Sequence, residues 1–174
     1  VVQTNAGLLA AVRAANPHAV ILYKPHPDVE AGLRPGAVPE AEALRHADRI
    51  IAGADMATLL EVVEEVWTIT SLTGFEALVR GLMVTTLGRP FYAGWGLTRD
   101  LDCPRRGTVT VAALIHAALI AAPRYRDPVS GLPCPVEVIV DRLASGTALP
   151  RAPALRLLAR LQGIFASRAR LWRD

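Results

Sequence analysis

The sequence predicts an α/β fold, a Rossmann-like parallel sheet flanked by helices, with a helical tail at the C-terminus. Three observations point there. Short β-branched apolar runs alternate with stretches whose apolar residues recur at helical spacing. The resulting order reads βαβαβ, which calls for a parallel sheet, covered on both faces and joined by right-handed crossovers. At 174 residues, 52% of them hydrophobic, the chain can bury a substantial core.

Taken in order, the first helix is expected from Ala6 to Ala15, with Asn5 as its cap. Asn16-Pro17 stops it, because proline disfavours helical geometry in the residue before it. Ala19 to Tyr23 reads as a buried strand, and a Gly/Pro-containing loop through Gly36 leads to a short helix at Glu40 to Arg45. Arg49 to Ala52 is the second strand. Met56 to Glu65 is helical by its Leu59, Leu60 and Val63 stripe, with Glu61, Glu64 and Glu65 as a solvated face. Val66 to Thr70 is the third strand, Leu72 to Arg80 a helix stopped by Gly81, and Met83 to Leu87 the fourth strand. Helices follow at Val111 to Ala121, capped by Thr110, and at Val136 to Ala144, with the proline-rich Pro123 to Pro135 between them. A last helix is expected from Ala154 to Trp172. The chain thus divides into a Rossmann-like domain over 1–150, which the resemblance given below makes the nucleotide-sugar-binding domain, and a basic amphipathic helix over 151–174.

Several functions lack their signatures. A net charge of +3 is too mild to argue for nucleic acid. Cys103 and Cys134 form no CxxC and the histidines have no metal-ligand spacing, so free thiols and no bound metal are expected. Neither GxxxxGK[ST] nor GxGxxG occurs after the first strand, which removes the main support for a nucleoside triphosphatase or nicotinamide enzyme. Gly107 to Pro123 lacks charge, but Thr108, Thr110 and His116 make it a buried helix rather than a membrane span. With valine first and no signal peptide, the sequence reads as a piece of a longer chain.

In sheets of this class ligands bind beyond the carboxyl ends of the strands, and two motifs fall there. The first is Tyr23-Lys24-Pro25-His26-Pro27. Lys24 and His26 each precede a proline, which pushes both toward extended backbone and their side chains to one side, as an anion clamp. The alternative is a rigid exit from the sheet, with Lys24 solvated and His26 bonded to a backbone carbonyl. The second motif, Thr70-Ser71-Leu72-Thr73-Gly74, crowds three hydroxyls at a strand-to-helix junction. Ser71 and Thr73 are candidates to contact an anion and Gly74 to let it approach the backbone, while Thr73 and Glu76 also fit a capping box. Downstream, Phe91-Tyr92-Ala93-Gly94-Trp95-Gly96 offers Tyr92 and Trp95 to a base or sugar ring, or folds its aromatics onto the core. The C-terminal segment sets Arg151, Arg156, Arg160, Arg168, Arg170 and Arg173 around apolar residues, fitting a partner domain or an anionic membrane surface.

YKPHPDV, TSLTGFEAL, GRPFYAGWGLT and PRYRDPVSGLPCPVEVI together resemble the KpsC-type capsular polysaccharide β-Kdo transferases of Gram-negative bacteria, over about Val20 to Leu143. The resemblance implies the C-terminal half of a GT-B glycosyltransferase, binding CMP-β-Kdo as donor and needing no cofactor. It implies a retaining β-Kdo transferase that builds a poly-Kdo linker on a phosphatidylglycerol-type lipid at the cytoplasmic face of the inner membrane. By resemblance His26, Ser71 and Thr73 hold the CMP phosphate, with Lys24 near the phosphate or the Kdo carboxylate. Gly74, Glu76, Tyr92 and Trp95 complete the predicted substrate set. The catalytic residue is unassigned and expected in the N-terminal GT-B domain, so this piece should bind better than it catalyses. A UDP-sugar transferase or epimerase half is the rival enzyme reading. A non-catalytic module that docks capsule-assembly proteins or lipid is the other.

Overall fold

The computed structural model describes residues 2–101 and 103–147, and the helix expected over 154–172 lies outside them, as does the 151–174 unit. Helix α1 spans Asn5–Ala15. Its cap is Thr4 rather than Asn5, the Thr4 hydroxyl accepting the Gly7 amide at 3.1 Å. Strand β1 (Leu22–Tyr23) pairs in parallel with β2 (Arg49–Ile50), and between them lie two helical turns, α2 (Pro27–Glu30) and α3 (Glu40–Ala43). Turn α2 was expected as loop; the proline at its first position and the side chain of His26 before it start it.

Helix α4 (Met56–Leu60), capped by Asp55, ends five residues before the predicted boundary at Glu65. Glu65 instead opens β3 (Glu65–Thr68), opposite Met83 in the parallel ladder to β4 (Met83–Thr86). Its carboxylate accepts the buried Thr85 hydroxyl at 2.7 Å. Pairing to a buried strand therefore outweighs the helical stripe, and Glu65 is no solvated helix residue. Helix α5 (Thr73–Val79) crosses between β3 and β4, and β4 pairs on its far side with an unforeseen parallel strand, β5 (Arg99–Asp100). Among the described residues the strands form two parallel sheets, β1-β2 and β3-β4-β5.

Each sheet has its own core. Leu9, Val12, Ile21, Tyr23, Ala43 and Ala47 pack around β1, and Trp67 of β3 leans against them. Leu60, Phe75, Leu78, Val84, Tyr92 and Leu114 pack around α5 and β4. Helix α6 (Val111–Ile115) starts at the predicted cap Thr110 and runs into a π-helical turn, His116–Ala121. No helix among the described residues is long and apolar enough to cross a membrane.

The proline-rich segment folds into a small antiparallel hairpin, β6 (Tyr125–Arg126) with β7 (Pro133–Cys134), and α7 (Val136–Ala144) matches its expected bounds. Asp127 ties these together. It accepts Arg142 Nε at 3.0 Å and a second Arg142 nitrogen at 3.1 Å, and it also accepts the Val129 and Ser130 amides. The Arg142 guanidinium, then these amides, hold the Asp127 carboxyl well below the usual carboxylate range. Asp48, which accepts the Ile21 amide and Arg13, is lowered in the same direction. Both groups bind a proton less readily folded than unfolded. Their stabilisation is complete above an unfolded pKa of about 4 and is lost as pH falls toward the folded values. Asp127→Asn should therefore lower stability at neutral pH and flatten the drop in melting temperature between about pH 5 and pH 3, measured by circular dichroism. An unchanged slope would exclude this linkage.

Candidate functional site

The exit from β3 carries the best-organised polar turn of the chain. Strand β3 stops at Thr68 because the Thr68 hydroxyl accepts the Ser71 amide at 3.1 Å, turning the backbone. Ser71 then does what the capping box assigned to Thr73. Its Oγ accepts the Thr73 amide at 3.2 Å and donates to the Thr73 hydroxyl at 3.1 Å. Thr73, accepting from Ser71, keeps its own O–H as a donor, and Glu76 stands one turn along α5, both half-buried.

Tyr92 braces this turn from below. Its hydroxyl donates to the Ser71 carbonyl at 2.5 Å, and its side chain is fully buried. Burial alone pushes the phenol far above its ordinary pKa, which keeps it a donor. Gly74 makes the arrangement possible, since a Cβ there would run into the Tyr92 hydroxyl and ring. Tyr92, expected as a ring facing substrate, thus acts on the site through Ser71 from within the core.

The loop around Tyr92 is fixed by groups the sequence did not single out. Asp100 on β5 accepts the Gly94 amide at 2.8 Å, the Thr86 hydroxyl at 2.9 Å and the Thr98 hydroxyl at 2.6 Å. Trp95 is half-buried, donates its indole N–H to the Phe91 carbonyl at 2.8 Å, and has the Arg105 guanidinium 5.7 Å from its ring. Arg105 also donates to the Pro90 carbonyl. Gly88 brings this loop against β3, because a Cβ at Gly88 would lie 2.6 Å from the Ile69 carbonyl oxygen. The only residue-level hint was the glycine spacing of the loop.

At the tip of β1 the two predicted cations have separate partners. Lys24 Nζ donates to Glu30 at 3.0 Å and to the Pro25 carbonyl at 3.3 Å, and its side chain is only 12% exposed. The other Glu30 oxygen accepts the Gly53 amide at 3.3 Å, so one carboxylate links the ends of β1 and β2. The Lys24 hydrogen bond is the main reason Glu30 sits below its ordinary pKa. His26 keeps the predicted extended backbone, but its Nδ1 accepts the Asp28 amide at 3.1 Å, leaving Nε2 as its outward donor. Tyr23, beside Lys24 and under the field of Glu30, has a buried hydroxyl with no partner among the described residues. The structure thus groups Ser71, Thr73, Gly74 and Tyr92 at one strand end and places Lys24 and His26 at another. Among the described residues no group of three or more histidine, cysteine or acidic side chains has the geometry to hold a metal. A shallow concavity lined by Ile120, Tyr125, Cys134 and Val136 lies at the hairpin, apart from both strand ends.

Residues 1–122 match the model of a family described as capsule polysaccharide biosynthesis protein. The chain is 50% identical over 126 residues to the capsule polysaccharide modification protein LipA of Neisseria meningitidis serogroup B, covering 71% of this chain and 18% of that protein. It is 41% identical over 124 residues to the lipopolysaccharide-processing protein LpsZ of Rhizobium meliloti, covering 70% of this chain and 28% of that protein. Among solved structures, the β-Kdo 2,7 transferase KpsC of Thermosulfurimonas dismutans superposes with a TM-score of 0.76 at 37% identity, covering 84% of this chain and 48% of that one. The β-Kdo 2,4 transferase KpsC of the same organism gives 0.66 at 32% identity, covering 78% and 43%. The chain therefore spans less than a third of these curated relatives and less than half of each solved chain.

Two substitutions test the turn and its neighbour. Gly74→Ala should cost about 1 to 3 kcal/mol in chemical denaturation, as overpacking against Tyr92, and a neutral result would contradict the close approach. Tyr23→Phe removes an orphaned hydroxyl whose burial costs about 1 to 3 kcal/mol, so the melting temperature should hold or rise. A clear fall would mean that the hydroxyl has a partner.

Proposed function

Because the chain belongs to the capsule polysaccharide biosynthesis family, we propose that it is the donor-binding half of a retaining β-Kdo transferase of capsule assembly. The carrying observation is its likeness, at 37% identity and a TM-score of 0.76, to a β-Kdo 2,7 transferase. The 2,4 transferase is matched at 0.66 and 32%, and the linkage is left to the acceptor-binding half.

In this reading CMP-β-Kdo is the donor. The bond from the sugar to the CMP phosphate breaks, a new bond to an acceptor hydroxyl forms with the β configuration kept, and CMP departs. No cofactor is required, because the donor carries its own leaving group. Thr73 donates its unspent hydroxyl proton to the phosphate, Ser71 donates by turning its proton from the Thr73 hydroxyl to the ligand, and Gly74 lets the phosphate reach the backbone. His26 donates from Nε2, while Lys24, steadied by Glu30, adds charge at the end of β1. Each hydrogen bond to a charged group contributes about 1.5 to 3 kcal/mol, so a few of them with base burial reach the roughly 8 kcal/mol of micromolar binding. Trp95 lines the base or sugar, Glu76 flanks the turn, and Tyr92 acts as a positioning residue. The catalytic carboxylate and most acceptor contacts belong to the facing GT-B half, the acceptor being a phosphatidylglycerol-type lipid with its growing poly-Kdo linker. The enzyme works on the cytoplasmic face of the inner membrane as a peripheral protein.

Calorimetry on the full-length protein is the test. CMP should bind at micromolar strength and more tightly than UMP, and Ser71→Ala should weaken it about tenfold, with circular dichroism showing that the variant stays folded despite the lost acceptor at the start of α5. Equal affinity for UMP, or a Ser71→Ala protein that binds CMP normally, would remove the reading in favour of a UDP-sugar enzyme or a docking module.

A further inference from the structure

We propose that residues 154–165 fold back as an amphipathic helix onto the exposed apolar stripe of α7 and cover it as the second arm of an αα-hairpin. The surface concerned is one that the donor reading leaves unused. Helix α7 has nine residues and none of them is buried. A helix that short is marginal in water and draws its stability from packing. One side of α7 has that packing, where Arg142 meets Asp127 and the helix lies against β6. The adjoining face does not. Val136, Ile139, Val140 and Leu143 fall at i, i+3, i+4 and i+7, a single stripe along the helix. Val140 is 56% exposed and Leu143 65%. At its start the stripe runs into the shallow concavity that Val136 shares with Ile120, itself exposed.

The chain itself points to the occupant. Gly146, at φ +68°, ends α7 in the left-handed region and donates its amide to the Leu143 carbonyl, a termination that reverses the path of the backbone. Thr147 is already turned back. Its hydroxyl lies 2.8 Å from the Ser145 hydroxyl and donates to the Arg142 carbonyl at 3.4 Å. Residues 148–174 lie outside the described residues, and their sequence supplies a matching stripe: Leu158, Leu161 and Phe165 repeat the i, i+3, i+7 spacing of Val136, Ile139 and Leu143. Extended, residues 148–153 reach about 20 Å, twice the roughly 10 Å between the axes of packed helices, so the segment can lie antiparallel to α7. Charge agrees. Exposed Glu137 and Asp141 stand one turn apart on one flank of the stripe, and the segment brings Arg151, Arg156 and Arg160, with Asp174 as its sole acid.

Trypsin acting on the full-length protein is the test, because Arg156 and Arg160 are cut readily only when the segment is released. The wild type should be cut slowly there. Leu143→Asp should speed cleavage at least tenfold, while Leu132→Asp, at 64% exposure in the hairpin and off the stripe, should leave it unchanged. Hydrogen exchange reads the same contact from the other side. Leu158→Asp should speed exchange of the α7 amides at least tenfold and leave those of β4 as they were. That variant alters no residue of α7, so a Leu143→Asp protein that merely unwinds α7 cannot imitate the pair of results. Rapid cutting of the wild type that phosphatidylglycerol vesicles suppress would assign the segment to a lipid surface. Slow cutting of the wild type and of Leu143→Asp alike would assign it to another domain of the full-length protein, and rapid cutting of every variant with or without vesicles would leave it undocked. Each of these overturns the proposal, as does α7 exchange that is indifferent to Leu158→Asp or cleavage that Leu132→Asp speeds as much as Leu143→Asp.

Discussion

One hydrogen bond organises the candidate site: the buried Tyr92 phenol donating to the Ser71 carbonyl through the space that Gly74 leaves open. It is a neutral bond and brings about 1 kcal/mol of net stability. Its structural effect is larger, because it joins the exit of β3 to the loop that follows β4. Ser71 in turn orders the first residue of α5 by accepting the Thr73 amide. A displaced phenol would leave a buried donor without a partner and loosen a contact that, with the Thr68 hydroxyl, holds the hydroxyl turn against the sheet. Charge then enters a site whose geometry is already set.

The charged groups follow a similar economy. Glu30 spans the ends of β1 and β2 by accepting from Lys24 and Gly53, and Asp100 gathers Gly94, Thr86 and Thr98. Each carboxylate replaces several weak tethers with one multivalent acceptor, which is stronger per bond because the acceptor is ionised. The fully buried threonines of β4 serve these same acids, Thr85 toward Glu65 and Thr86 toward Asp100. The middle strand of the larger sheet is therefore hydrogen-bonded on its side chains as well as its backbone.

Much of this was legible in the residues, and the exceptions have physical causes. The parallel alternation, the Thr110 cap and the bounds of α7 follow from periodicity and capping chemistry, which are local. Helix α4 fails at its end because Glu65 is claimed by a strand partner eighteen or more residues away in sequence, which no local pattern encodes. The hydroxyls of the site were visible as Ser71 and Thr73, but their division of labour was not, since it depends on where the Thr68 side chain turns the backbone. Tyr92 was legible as an aromatic in a glycine-rich loop, yet its burial depends on Gly74, in another element. Glu30 looks like an ordinary surface charge until the ends of β1 and β2 are folded around it.

The two sheets share no backbone ladder among the described residues; Trp67, leaning from β3 onto the core around β1, is the apolar bridge between them. Contacts of that kind tolerate small sliding motions better than a hydrogen-bonded strand pair does, so each half is expected to behave as a semi-independent cooperative unit. A molecule anchored at the tips of both β1 and β3 would clasp the seam shut. Its occupancy would then be felt throughout the fold, as increased resistance to local opening in segments it never touches.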